Sequence, residues 1–337
     1  MNKIPEKYNG KKVVITGGLG MIGSTLAHKL VDFGANVTII DNYLEPYGAN
    51  DANIAGIENK VKINIANICD KSSMKKLLQN KEIVFSLAGQ VGHNISMKNP
   101  ELDMELNCLG QLNTLQACSE GSKDAKILFA GSRFQFGHIY KNPVNEDHPT
   151  APLSIYAIHK LTGENYYQAF NKHYGMDTVV FRIANPYGPR SQMKHHHYSM
   201  VNWFLRQAME EKDITVFGDG KQLRDYIYVD DLANAFLKAG VSEKSKGQIY
   251  NVGSGTGTKF IDMVHKIVKI VGKGKVISIP WPEEYEKVET GDYVTDIKKI
   301  QEHLNWFPEI SFEEGLERTF KYYKEKRDLY WKGKDGP

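Results

Sequence analysis

Cysteine is scarce in this 337-residue chain: Cys69, Cys108 and Cys118 are the only three. An odd number without C-x-x-C spacing excludes a disulfide framework and a thiolate metal site, and it fits a reducing cytoplasm. Surplus charge of one sign is also lacking. Forty-three Lys and Arg against 40 Asp and Glu leave +3, too little to argue for nucleic acid or an anionic membrane as a partner. No stretch approaches the ~18 apolar residues of a membrane span, and the opening MNKIPEKYNG has no apolar segment of the secretory kind. Low-complexity tracts and internal repeats are absent. What remains is an ordinary globular balance, 41% hydrophobic and 25% charged, on a chain long enough for a large core and two lobes.

The stretch KVVITGGLGMIG at 12–23 organises the rest. Val13, Val14 and Ile15 form a short β-branched run, as expected of a buried parallel strand. Glycines follow at 17, 18, 20 and 23, matching both G-x-G-x-x-G and G-x-x-G-x-x-G, and a helical pattern runs from 21 to 33. The first glycine permits a sharp turn, the next removes a Cβ so that a pyrophosphate can reach the backbone, and the last lets helix and strand pack closely. Phosphate then rests on free N–H groups at a helix start. A second strand at 36–40 ends in Asp41, at the distance where an acid binds the adenosine ribose. An acid there repels a 2′-phosphate, so NAD is expected over NADP.

Further strands are expected at 62–65, 83–87, 127–130 and 177–183, with helices at 72–79, 100–118 and 155–174. Asn67 and Ile68 are expected to flank the adenine, and the small Ala88-Gly89 pair to allow close approach of the cofactor. Leu102, Leu106, Leu109, Leu112 and Leu115 recur near helical spacing and predict a buried face. Repeated β-α-β with short connections predicts an α/β fold, a doubly wound parallel Rossmann sheet with a smaller, interleaved C-terminal lobe for substrate. The expected division is 10–185 plus about 225–258 for the dinucleotide, 186–224 and 259–330 for the substrate, and 331–337 as a loose tail. The segment 248–252 is expected to return to the main sheet.

Tyr156 and Lys160 lie one helical turn apart on one face. A cation beside a phenol favours the phenolate and makes it a usable general base. The same spacing occurs at Tyr8/Lys12, Tyr322/Lys326 and Tyr330/Lys334, where solvated pairs are the simpler expectation. Only Tyr156 follows a strand that ends in an available hydroxyl, Ser132.

TGGLGMIG, Asp41, LAG at 87–89, NCLGQLN at 107–113, GSRFQFG at 131–137, YAIHK at 156–160, FRIANPYGP at 181–189 and VFGDGKQLRDYIYVDDLA at 216–233 occur in that order. With these pieces the chain resembles the extended short-chain dehydrogenase/reductases of the NAD-dependent sugar epimerase/dehydratase family over about 10–325. The resemblance implies catalytic Ser132, Tyr156 and Lys160. It implies cofactor contacts from Gly17, Gly20, Met21, Ile22, Gly23, Asp41, Asn42, Asn67, Ile68, Leu87, Ala88, Gly89 and Asn107, besides Tyr156 and Lys160. It implies a homodimer packed through helices near 103–118 and 156–172, and a nucleoside-diphosphate sugar substrate, with UDP the default and dTDP, GDP or CDP the alternatives. Substrate contacts are expected from Ser132, Arg133, Asn185, His197 and Arg224. Arg133 either reads an anionic or unusual sugar group or points to solvent. Arg224 binds a diphosphate or pairs with Asp225 or Asp230. Asn185 binds substrate or caps a turn before Pro186.

The 4,6-dehydratases of the family carry Asp-Glu after the catalytic hydroxyl, where this chain has Arg133 and Phe134, neither suited to moving a proton. Epimerisation at C4 is therefore expected. A 4-dehydrogenase or 4-ketosugar reductase uses the same three residues, a C2 epimerase keeps the same core, and a non-catalytic NAD-binding protein is the reading outside enzymology. His195-His196-His197 has no companion carboxylates or thiolates, so no metal is expected.

Overall fold

The computed structural model describes residues 4–45 and 47–331. Its centre is a seven-stranded, wholly parallel sheet. The first four strands are β1 (Lys12–Thr16), β2 (Asn36–Asp41), β3 (Val61–Ile65) and β4 (Ile83–Ser86). Next come β5 (Lys126–Ser132), β6 (Asp177–Ile183) and two short strands, β7 (Asn185–Tyr187) and β8 (Asp213–Phe217). The chain continues through β9 (Leu223–Tyr228), β10 (Ile249–Val252), β11 (Gly257–Lys259) and β12 (Lys275–Ile279). The large sheet has the order β10-β6-β5-β4-β1-β2-β3. Strand order reverses about β1, so the carboxyl ends of β1 and β4 part and leave a crevice there.

Each central strand is apolar on both faces because helices cover both. Val13, Val14 and Ile15 are fully buried, as are Val84, Phe85, Ile127, Leu128 and Phe129. The 249–252 segment does return to the main sheet, pairing in parallel with β6 from Ile249↔Val180 to Val252↔Ile183. The remaining strands form two smaller sheets, β11-β9-β7 and β12-β8, packed with the helices Met200–Met209, Phe260–Val271 and Phe312–Lys326 around a separate apolar cluster that includes Phe204, Leu205, Val216 and Val264. Among the described residues no helix is long and apolar enough to cross a membrane.

Several expectations need correction. The helix expected over 100–118 is three pieces: Pro100–Met104, a wide π-turn at Glu105–Leu109, and Gly110–Gly121. The extra residue in the turn shifts the register. Leu106 and Leu115 are buried as expected, but Leu109 is 45% exposed. Tyr8 and Tyr330 are not solvated. Tyr8 is fully buried and donates to the Leu237 carbonyl at 2.9 Å; Tyr330 donates to Asn53 Oδ1 at 2.6 Å. Lys334 and the rest of the expected tail, 332–337, lie outside the described residues. Trp331, counted with that tail, is buried, its ring 5.9 Å from Tyr323.

One buried ion pair ties the sheet to the loop that follows β5. Arg182 on β6 donates twice to Glu164, at 2.7 and 3.0 Å, and Gln135 donates to the same carboxylate at 2.7 Å. Gln135 in turn accepts from the Ser132 amide at 2.9 Å. Arg182→Met leaves the Glu164 carboxylate buried without its cation. It is expected to lower unfolding stability by about 3–5 kcal/mol, read as a lower denaturation midpoint.

Candidate active site

The crevice opens into a cavity of about 570 Å³, large enough for most of a dinucleotide or a nucleotide sugar. Its floor is the turn after β1. Gly17 has φ +68°, and a Cβ there would lie 2.9 Å from the Ala88 amide nitrogen. A Cβ on Gly23 would meet the Gly17 carbonyl oxygen at 2.4 Å and the Gly18 Cα at 2.7 Å. The helix Met21–Asp32 begins at Gly20 with no side-chain cap, so its first amides are free to hold a phosphate. At the end of β2, Asp41 accepts from the Leu19 and Tyr43 amides, each at 3.1 Å. Burial pushes its carboxyl pKa up, against those amides. Glycine cradle, uncapped helix and oriented acid together fit a dinucleotide.

Gly17, Gly20, Met21, Ile22, Gly23, Asp41, Asn42, Ile68, Leu87, Ala88 and Gly89 all line the cavity. Two expected contacts stand apart. Asn67 is not on the wall; its side chain accepts from the Cys69 amide at 2.9 Å, an Asx turn that aims Ile68 inward instead. Asn107 lies behind the wall. The π-turn carries it inward, where it donates to the Gln90 carbonyl at 3.1 Å. A Cβ on Gly89 would touch both its Oδ1, at 2.5 Å, and the Lys160 Nζ, at 3.3 Å.

Ser132, Tyr156 and Lys160 meet in the same cavity. Ser132 ends β5 and caps the short turn Arg133–Phe136. Tyr156 and Lys160 stand in the first two turns of the helix Ile155–Tyr174, which Ser154 caps. Ser96 fixes the start of that helix, accepting from the Tyr156 amide at 3.0 Å. All three catalytic candidates are buried. Burial pushes the Tyr156 phenol well up, while a hydrogen bond with Ser132 and the charge of Arg133 pull it down. The expected acidification by Lys160 is not what this geometry provides. The ammonium donates to the Ala130 carbonyl at 3.0 Å and stands 5.9 Å from the Tyr156 ring centre. Burial lowers its own pKa to about 8, against the pull of Asp103.

Arg133 does not point to solvent: it is 3% exposed and lines the cavity. Arg224 is paired, but with neither expected aspartate. Its Nη2 reaches both oxygens of Glu289, at 2.5 and 2.7 Å, and its Nη1 donates to the Leu223 and Gly291 carbonyls. Asn185 lines the cavity and donates to the Asp225 carbonyl at 2.7 Å, tying β7 to β9 rather than capping a turn. His197 is on the wall, its pKa held to about 4 by burial and the adjacent His196 and His195.

Sequence reasoning missed the far wall. Phe217, Trp281 and Tyr285 form an aromatic corner, with Phe217 5.6 Å from Trp281 and 5.0 Å from Tyr285. Trp281 precedes, and Tyr285 sits in, the four-residue helix Glu283–Glu286, too short for any periodicity to mark them. His93 was also missed. Its Nδ1 lies 2.7 Å from Ser154 Oγ, and its ring packs on Phe134 and Tyr156.

Comparison with known proteins agrees with this geometry. Residues 13–253 match the NAD dependent epimerase/dehydratase family. The chain belongs to that family. Its cofactor is NAD, and it is an enzyme of the extended short-chain dehydrogenase/reductase type. A provisionally named UDP-glucose 4-epimerase of Methanocaldococcus jannaschii is 33% identical over 93% of this chain and 98% of its own. A UDP-N-acetyl-alpha-D-glucosaminuronate decarboxylase of Bacillus cytotoxicus is 31% identical over 94% of this chain and 98% of its own. The solved UDP-glucose 4-epimerase of Thermotoga maritima with UDP-glucose is 30% identical, covering 94% of this chain and 99% of that one, at a TM-score of 0.85.

Because the Gly23 clash is with backbone, it cannot be relieved by a side-chain rotation. Gly23→Val is expected to weaken NAD binding at least about tenfold, measured by calorimetry and by the NAD released when the purified protein is denatured.

Proposed function

We propose that this enzyme epimerises a nucleoside-diphosphate sugar at C4 through a transient 4-keto sugar. The observation that carries the reading is the convergence of Ser132, Tyr156 and Lys160 in one cavity, with Arg133 and Phe134 where a dehydratase needs its acids. Tyr156 takes the proton of the C4 hydroxyl. Ser132 hydrogen-bonds that oxygen and steadies the developing carbonyl. The hydride of the same carbon has NAD as acceptor and donor, which is the chemistry the cofactor supplies. Lys160 and Gly89 hold the nicotinamide end, with Asn107 behind them, and Asp41 the adenosine end. Arg224 meets the diphosphate, and Asn185 and His197 border the sugar nucleotide. UDP is the first nucleotide to test, followed by dTDP, GDP and CDP. In the lobe division we favour, 10–185 with about 225–258 serves NAD and the remainder to 330 serves substrate.

The enzyme is expected to act in the cytoplasm, which its three free cysteines suit. The test is turnover of nucleotide sugars without added NAD, followed by NMR. An epimerase turns over many times on its bound cofactor; activity only on fresh NAD or NADH would identify a 4-dehydrogenase or 4-ketosugar reductase instead. Tyr156→Phe is expected to lower kcat about 10²–10⁴-fold while retaining bound NAD.

The homodimer reading rests on exposed apolar side chains along two neighbouring helical segments. Met104 is 50%, Leu109 45% and Ile158 46% exposed, and in a second copy the same patch would cover them. Leu109→Glu with Ile158→Glu is expected to halve the mass measured by light scattering.

A further inference from the structure

Arg133 is a buried cation. Its Nη1 donates to Thr290 Oγ1 at 3.1 Å, and its Nε is buried without a hydrogen-bond partner. The guanidinium is held between two rings, 4.0 Å from the centre of Phe134 and 4.9 Å from that of Tyr293. Among the described residues no carboxylate forms an ion pair with it. The nearby cation Arg224 takes the ion-pair contact with Glu289; burial and the Arg224 charge drive the Arg133 pKa down to about 10, against the longer-range pull of Tyr293, Glu289 and Tyr226.

Two further polar atoms around it are also unpaired. The Tyr226 hydroxyl and the His93 Nε2 are buried without partners, and both residues line the cavity with Arg133. The position is informative. Arg133 follows Ser132 in the chain, and Phe134, on which it lies, packs at 3.8 Å on His93, which packs at 5.1 Å on Tyr156. Arg133 and His93 therefore adjoin the Tyr156 ring. A guanidinium of fixed plane offers two parallel N–H bonds to a planar anion. A neutral hexose would leave its charge buried without an ion-pair partner.

We propose that Arg133 and the Tyr226 hydroxyl form a carboxylate subsite within the sugar pocket, and that the substrate is a nucleotide-linked sugar acid of the uronate type. The proposal deepens the epimerase reading and rests on it. His93, whose pKa burial holds at about 3, is neutral at physiological pH and adds no second charge. Arg224 remains for the diphosphate.

The test compares UDP-glucuronate with UDP-glucose, and the corresponding acid and neutral pairs on dTDP and GDP, by kcat/KM and by calorimetric Kd. The wild type is expected to favour the acid at least about 100-fold. Arg133→Met is expected to cut that preference to less than about tenfold, chiefly through KM for the acid. Arg133→Lys, which keeps the charge but not the fork, is expected to fall between. Tyr226→Phe is expected to erode the preference in the same direction. Bound NAD and thermal unfolding report whether each variant is folded. Equal turnover of acid and neutral sugar by the wild type overturns the subsite and leaves the epimerase reading standing. Loss of both substrates in equal measure in Arg133→Met also overturns it, because Arg133 would then serve the shared diphosphate. If no sugar is turned over on any nucleotide, the epimerase reading fails, and the calorimetric preference for acid over neutral ligand still decides the subsite.

Discussion

Tyr156 and Lys160 are both out of water, and desolvation acts on them in opposite directions. It raises the phenol's pKa and lowers the ammonium's to about 8. Both shifts favour the neutral form, because a low-dielectric site penalises charge of either sign. Left alone, the pair would be a poor base beside a weakened cation. The surrounding structure works against that tendency. Ser132 hydrogen-bonds the phenol and Arg133 adds positive charge; Asp103, itself buried and held by His159 at 2.6 Å, supports the Lys160 ammonium while its charge raises the phenol further. The same dryness makes each of these terms larger than it would be in water.

Position follows from the same constraint. Ser132 is useful only if its hydroxyl stays near the phenol, and its backbone is held by Gln135, which Glu164 and Arg182 hold in turn. The buried ion pair therefore reaches the site through one side chain, Gln135. On the other side, the π-turn at Glu105–Leu109 carries Asn107 toward Lys160. The irregular turn serves the site, at the cost of exposing Leu109.

The parallel sheet was legible because β-branched runs mark strands buried on both faces. Asp177–Ile183 and the helix Ile155–Tyr174 match the structure residue for residue, and β1, β2 and β4 differ only at their ends. The glycine turn was legible because each glycine answers a steric demand. What escaped depends on contacts between distant segments. Arg224 finds Glu289, 65 residues away, rather than its sequence neighbours. Trp281 and Tyr285 come from a segment without periodicity, and a π-turn adds one residue that no spacing rule anticipates. Tyr8 reads as a surface residue until the Leu237 carbonyl supplies the partner that lets it be buried.

Charge along the cavity is graded, and the gradient suits an asymmetric occupant. Asp41 places acid at the adenosine end. Arg224 and Glu289 neutralise each other where the diphosphate is expected, so a phosphate arriving there must compete with a carboxylate already seated. That competition favours reversible binding, which turnover requires. Arg133, by contrast, has no carboxylate in ion-pair contact among the described residues, only the longer-range charge of Glu289. An anion presented to it recovers charge stabilisation that the folded protein leaves unanswered. Of the two arginines in the pocket, the one without an ion-paired carboxylate is the one on which the proposed discrimination between sugars rests, while the paired one is proposed to meet what every nucleotide sugar shares.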